Sequence, residues 1–206
     1  MNKIWNDFAI GSIKLEHRLA LAPMTRLRAL PDGTPSDLAV EYYKQRASLG
    51  LLISEGTQPS KIGQGYVGSP GIYAPEHIQG WGKVAEAVHQ QNAHIFIQLM
   101  HAGRVSHPSI LNGELPVAPS AIATPQEIFT AEGPQSAPVP RALETAEIND
   151  VQNEFVQAAK NAIQAGADGV EIHGATGYLL GQFLNTNSNQ RTDAYGGSIE
   201  NRARMH

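Results

Sequence analysis

Short apolar runs alternate along this chain with stretches whose apolar residues recur three and four positions apart, the periods of strand and helix respectively. Phe8 to Leu15 predicts a small hairpin with Gly11-Ser12 at its turn. Leu19 to Leu21 is an apolar strand that runs out at Ala22-Pro23-Met24-Thr25. Ser36 to Ala47 predicts a helix, with Leu38 and Tyr42 four apart. Leu51 to Ser54 is a second strand, closed by Glu55-Gly56-Thr57. The next helix spans Pro75 to Gln91. Pro75 suits its first turn, Ile78, Trp81, Val84, Ala85 and Val88 make its apolar face, and Asn92 caps its end. A third strand, His94 to Gln98, ends at Leu99-Met100-His101. The last long helix covers Ala146 to Ala165, with Ile148, Val151, Phe155, Ala158, Ala159, Ala162 and Ile163 on one side. Gly166 stops it, and Gly169 to Ile172 is the fourth strand.

Strands and helices in strict alternation imply a parallel α/β sheet. No Gly-x-Gly-x-x-Gly follows any strand, which argues against a doubly wound dinucleotide-binding fold and for a barrel. The expected architecture is one domain, residues 1–206, forming the N-terminal half of a (β/α)8 TIM barrel with an N-terminal hairpin. A closed barrel needs eight strands and about 250 residues. The chain has 206, and its sequence stops inside a helix begun at Ser198. We therefore expect a fragment or split protein that meets a complementary chain carrying the second half of the barrel. From His101 to Glu144 the sequence is rich in Pro, Gly and Ser, and reads as an excursion over the active face.

Composition narrows the function classes. Charged residues are 17% of the chain and apolar ones 41%, a charge content below the typical value of about 25%. The formal net charge is −4, with no basic stripe for nucleic acid and no run long enough to span a membrane. There are no cysteines, so disulfides, thiolate catalysis and Cys-ligated metals are excluded. Met1 to Asp7 lacks the apolar core of a signal peptide, and the expected location is cytoplasmic.

The candidate chemistry sits where strands end, as it does in parallel α/β folds. Val170 to Leu180 places His173, Thr176 and Tyr178 at one strand mouth. An imidazole and a hydroxyl there can grip a substrate oxygen, and a phenol can deliver a proton. A lone His at a strand end is also a common structural residue. A metal hydrolase built on His101 and His173 is a weaker reading, since carboxylate ligands and an i, i+4 His pair are lacking.

Five segments taken together, Ala22-Pro23-Met24-Thr25-Arg26, Ser54-Glu55-Gly56-Thr57, Gln98 to Arg104, Glu171 to Leu184 and Asn189 to Arg202, strongly resemble the old yellow enzyme family in order and spacing. The resemblance implies an FMN-dependent oxidoreductase on a (β/α)8 barrel, taking hydride from NADPH or NADH and reducing activated alkenes or nitro compounds. It implies that Pro23, Met24, Thr25, Gly56, Gln98 and His173 contact the flavin, with Gln98 meeting its pyrimidine edge. His173 and Thr176 would bind the substrate's electron-withdrawing oxygen, Tyr178 would protonate the α-carbon, and Tyr66 and Met100 would line the pocket. Read without the resemblance, Pro23 and Gly56 are loop punctuation, Gln98 a capping amide and Tyr66 a loop anchor. Three positions depart from the family: Gly56 where Ala is frequent, Met100 where Trp is frequent, and Thr176 where His or Asn is usual. The runner-up reading is a catalytically silent half-barrel whose role is assembly.

Overall fold

A computed structural model describes residues 3–206. The chain opens with an antiparallel hairpin, β1 (Phe8–Ile10) and β2 (Ile13–Leu15), turned at Gly11 with φ +60°. There follow β3 (Ala20–Leu21), α1 (Asp37–Lys44), β4 (Leu51–Ile53), α2 (Pro75–His89) and β5 (His94–Leu99). Then come β6 (Val117–Ala118), β7 (Glu127–Thr130), β8 (Gly133–Ser136) and β9 (Arg141–Ala142). The chain continues through α3 (Thr145–Gln164), β10 (Gly169–Ile172), α4 (Leu179–Leu184) and α5 (Ile199–Arg202). Among the described residues no helix is long and apolar enough to cross a membrane.

Four of these strands form one parallel sheet in the order β10-β5-β4-β3. The register pairs Leu21 with Leu52, Leu52 with Ile95, and Ile97 with Val170. Alternation then sends Leu52, Ile95, Ile97 and Leu99 to the same face, where each is at most 1% exposed. That face packs on Ala39 and Tyr43 of α1, Trp81, Val84 and Val88 of α2, and Ala158 and Ala162 of α3. Each large side chain buried this way contributes about 1.5–3 kcal/mol. The opposite face carries Phe96, Gln98, Gly169 and Glu171. Gly169 is required there: a Cβ would lie 2.8 Å from the Phe96 ring.

The helices start and stop for local reasons. Pro75 opens α2, and the preceding Ala74 N–H donates to His77 Nδ1 at 3.3 Å. At α3 the Glu147 carboxylate reaches back to accept the Glu144 N–H at 2.7 Å, also engaging Arg141. Asn92 after α2 and Gly166 after α3 take the left-handed conformation, at φ +57° and +94°.

Several expectations are corrected. Leu38 is 65% exposed, and α1 buries Ala39 and Tyr43 instead; the helix is turned so that the Tyr43 hydroxyl accepts the Glu55 N–H. Ile163, expected on the apolar face of α3, is 56% exposed, and lies one position past Ala162, which closes the core. The stretch between His101 and Glu144 holds two strand pairs, β6 with β9 and the β7–β8 hairpin. Its Pro and Gly residues hid them, because β7 and β8 bury only Ile128 fully. The short α4 was not expected either. It buries Leu179, Leu180 and Phe183 in a second cluster with Val117, Leu143, Ile148, Val151 and Met205.

Both outer strands of the sheet, β10 and β3, have a bare edge among the described residues. Beyond β10, a cavity of 480 Å³ is lined by Phe155, Val156, Ile172, Leu180 and Met205.

At the base of the sheet Asp168 ties three elements. Its carboxylate bonds His89 Nε2 at 2.9 Å and His94 Nδ1 at 3.0 Å, and accepts the Ile95 N–H at 2.9 Å. Burial pushes its carboxyl up, but the bonds from His89, His94 and Ile95 outweigh this and leave it below its ordinary value. A lowered folded pKa means stability that is present at neutral pH and lost as pH falls below the ordinary carboxylate range. Asp168→Asn should therefore lower stability by about 1–3 kcal/mol near neutral pH. Urea unfolding at several pH values should show its gap from the parent shrinking in acid; a gap independent of pH would contradict this role.

Candidate active site

The carboxyl ends of the four parallel strands meet along one edge, and backbone bonds carry the ladder beyond them. Thr57 N–H donates to Gln98 O, Met100 N–H to Thr57 O, and His173 N–H to Leu99 O, at 2.9, 2.9 and 3.0 Å. Gly56, Gln98, Met100 and His173 are thereby held at adjacent strand ends. Pro23, Met24 and Thr25 follow β3 on an exposed segment, where Met24 is 55% exposed.

That exposed segment is anchored by a residue to which sequence reading gave no role. Glu55 is 3% exposed. Its Oε2 accepts the N–H groups of Arg26 at 2.8 Å and Leu27 at 3.1 Å. Leu27 has φ +55°, a conformation costly for a branched residue, and the carboxylate holds it there. Burial raises the Glu55 carboxyl above its usual range, opposed by the bonds from Arg26 and Leu27. The signal was available: a carboxylate directly after an apolar strand in a charge-poor chain.

Gln98 is buried, and its Nε2 donates to Glu171 Oε1 at 2.6 Å across the β5–β10 pair. Its Oε1 makes no hydrogen bond among the described residues, so one face of the amide remains available to a ligand. Gly56 is buried with a Cβ position only 2.7 Å from Met100 Sδ. Gly56 and Met100 are thus coupled: the thioether fills the space a methyl on residue 56 would take. An accessible amide carbonyl on a largely buried glutamine, a Cβ-less strand end and an exposed Pro-Met-Thr segment fit a flat heteroaromatic ring with a polar edge, which is what a flavin offers.

The second group of side chains lies after β10. The Tyr178 ring meets His173 edge-on at 4.9 Å between centroids, and its hydroxyl lies 2.7 Å from Tyr66 Oη. Thr176 Oγ1 is 3.4 Å from His173 Nε2. Tyr178 is positioned as the N-cap of α4, where Leu179 N–H donates to His101 O at 3.0 Å. Burial raises the Tyr178 phenol well above its usual value. The tyrosine therefore carries its proton at any physiological pH. His173, Thr176, Tyr178 and Tyr66 lie together in one cluster. His101 does not join them: it is buried, accepts the Gly103 N–H on Nδ1 at 3.0 Å, and burial pushes it down to about 4. A neutral, enclosed imidazole of this kind is part of the scaffold.

The segment Asn189 to Arg202 is also scaffold. Arg191 donates to the carbonyls of Pro119 and Leu143 and pairs with Asp193, which accepts from Thr145 at 2.6 Å. Asn189 Nδ2 bridges the carbonyls of Phe183 and Tyr195, at 2.7 and 2.8 Å. A Cβ on Gly196 would overlap the Arg191 carbonyl.

Fold and site together define a class: a parallel α/β protein with its polar machinery on the carboxyl edge of the sheet and a floor suited to a planar ring. Sequence comparison is specific. The profile of the NADH:flavin oxidoreductase / NADH oxidase family matches residues 3–206, and the chain belongs to that family. It is 47% identical to the flavin oxidoreductase hxnT of Emericella nidulans, an alignment covering all of this chain and 54% of the relative. It is 46% identical to a probable flavin mononucleotide-dependent alkene reductase of Leishmania infantum, over 95% of this chain and 55% of the other. The old yellow enzyme homologue of Zymomonas mobilis superposes with a TM-score of 0.96 at 40% identity, over 98% of this chain and 57% of that one. The chain thus spans about half the length of the curated relatives it matches.

Thr176 has φ +51°. A β-branched residue is disfavoured there by about 1–2 kcal/mol, whereas Asn tolerates this region. Thr176→Asn should accordingly stabilise the protein by about 1 kcal/mol, while Thr176→Ala, which keeps the Cβ penalty, should not. Chemical denaturation of the two variants checks this, and equal effects would contradict it.

Proposed function

We propose that this chain supplies the flavin-facing and substrate-facing half of an FMN-dependent oxidoreductase that takes hydride from NADPH or NADH and reduces activated alkenes or nitro compounds. The observation that carries the reading is the cluster of Tyr178, Tyr66, His173 and Thr176 beside a strand-end floor of Gly56 and Gln98. Pro23 and Met24 give the ring an apolar contact, Thr25 offers a hydroxyl to its edge, and Gln98 Oε1 accepts from its pyrimidine portion. Bound FMN would accept and return the hydride. His173 and Thr176 bind the electron-withdrawing oxygen of the substrate, where negative charge develops as the β-carbon is reduced. Met100, in the place of a larger residue in relatives, leaves that pocket softer and more adaptable. Tyr178, kept protonated by its burial, donates to the α-carbon.

The second reading, an assembly role for a half-barrel spanning residues 1–206, is favoured by the bare β10 edge and by Ile172, which is 49% exposed there. The two readings are compatible. A complementary segment, on the same polypeptide or a second chain, would cover that edge and supply the phosphate-binding end that barrels commonly build after their last strands.

Two outcomes test these proposals. Tyr178→Phe should leave FMN binding and reduction by nicotinamide intact while slowing enone reduction by about 100-fold. Nitroalkenes should suffer less, because their reduced product takes a proton from water. Rapid-mixing kinetics of the two half-reactions decide this, and parental enone rates in the variant would remove Tyr178 from the mechanism. Separately, residues 1–206 expressed alone should self-associate and hold FMN weakly. Co-expression with a chain supplying four further strand–helix units should give a monodisperse yellow complex, whereas a monomer binding FMN tightly unaided would refute the assembly proposal.

A further inference from the structure

Tyr66 lies 112 residues from Tyr178 in sequence, yet the two hydroxyls are 2.7 Å apart. The simplest account of Tyr66 is a loop anchor or a piece of pocket wall. The backbone argues otherwise. The Tyr66 carbonyl already receives Gln64 Nε2 at 3.0 Å, Ser69 N–H at 3.3 Å and Ser69 Oγ at 2.8 Å. On the preceding residues, Gly63 O accepts the Ala102 N–H at 2.9 Å and Gln64 O accepts Ser106 Oγ at 2.7 Å. Gly65 sits so close to the neighbouring loop that a Cβ would lie 2.5 Å from the Ala102 methyl. This loop is fixed without any help from the phenol, so the Tyr66 hydroxyl is free to serve Tyr178.

Tyr66 also lines a cavity of 450 Å³, together with Val105, Gln126 and the β7 residues Glu127, Ile128 and Phe129. Phe129 at its rim is 67% exposed. Tyr66 therefore touches both an open chamber and the half-buried Tyr178. The titratable neighbours are few: His173 meets the Tyr178 ring edge-on, and Glu127 lines the chamber.

The geometry points to Tyr66 as a positioning residue for Tyr178, stabilising the oxygen that gives up its proton and returning a proton to it from solvent. The inference rests on the reaction proposed above. There, the electron pair at the substrate α-carbon takes the phenolic proton of Tyr178; the C–H bond forms as the O–H bond breaks, and the negative charge passes to Tyr178 Oη. Burial makes that charge costly. A hydroxyl pair reads in either direction. While both phenols carry their protons, either can be the donor of this bond. Once Tyr178 has given up its proton, Tyr66 is the donor already at hydrogen-bond distance. A solvent proton entering the chamber replaces the one Tyr66 passes on, and both phenols are restored.

The test is Tyr66→Phe, which keeps the ring and removes only the hydroxyl. In the flavin-loaded protein, reduction by nicotinamide should stay within about twofold of the parent. Enone reduction should fall about 10- to 100-fold, the effect of one hydrogen bond to a charged group, with a changed pH profile. Nitroalkene reduction should hardly move. A purely structural defect would slow all three together. Alkaline titration of tyrosinate absorbance needs no flavin: comparing parent with Tyr178→Phe, and Tyr66→Phe with the double variant, isolates Tyr178. Its titration should shift to higher pH when Tyr66 is lost, because the donor that stabilises its anion is gone, and an unmoved or lowered titration would overturn the pairing. If Tyr178→Phe is slow but Tyr66→Phe reduces enones at the parental rate, this inference fails alone. If Tyr178→Phe is also at the parental rate, the underlying reaction reading has failed.

Discussion

The parallel register of β3, β4, β5 and β10 is the constraint on which the rest of the structure depends. Because Leu52 sits between Leu21 and Ile95, and Gln98 beside Glu171, all four strands end along one edge. A slip of one residue would send Ile95 and Ile97 to the face of Gln98, and Gln98 into the helix-covered core. The hydrophobic interlock with Tyr43, Trp81 and Ala158 thus fixes more than stability. It sets where the polar strand ends point, and the Thr57, Met100 and His173 backbone bonds extend that order into the loops.

Most polar residues in the recognisable segments serve positioning rather than chemistry. Glu55 holds the segment after β3, and Arg191, Asp193 and Asn189 fasten the chain after α4. Gln182 reaches from α4 to the carbonyls of Ala102 and Gly177 and accepts the Arg104 N–H. A site assembled from separate strand ends needs loops that do not wander, and buried hydrogen-bonded polar groups supply that rigidity. This explains how segments with few reactive groups can still mark a family: their residue types are set by the carbonyls and N–H groups they must satisfy.

The long elements were legible in the sequence because burial on one side imposes a period. α2, α3, β5 and β10 fall within a residue or two of their expected bounds. Other short elements were not: α4 and the β6–β9 pair are held by partners distant in sequence, and the β7–β8 hairpin, with only Ile128 fully buried, shows no apolar alternation. The orientation of α1 was misread because Leu38–Tyr42 and Ala39–Tyr43 share the same i, i+4 spacing, and the packing of Tyr43 in the core with its bond to the Glu55 N–H goes with the second pair.

For the site, the sequence by itself determined which residue types stand at each strand end: the imidazole, hydroxyl and phenol after β10, the glycine after β4 and the amide on β5. Those follow from position along an alternating chain, and position is a one-dimensional property. Tertiary structure alone decided the pairings. Tyr66 on Tyr178, Glu55 on the Arg26 and Leu27 amides, Met100 against Gly56, and the left-handed backbone at Thr176 all depend on distances between segments far apart in sequence or on a local dihedral angle. Hydrogen bonds act over about 3 Å, and residue order does not encode that separation until the sheet has closed on its helices.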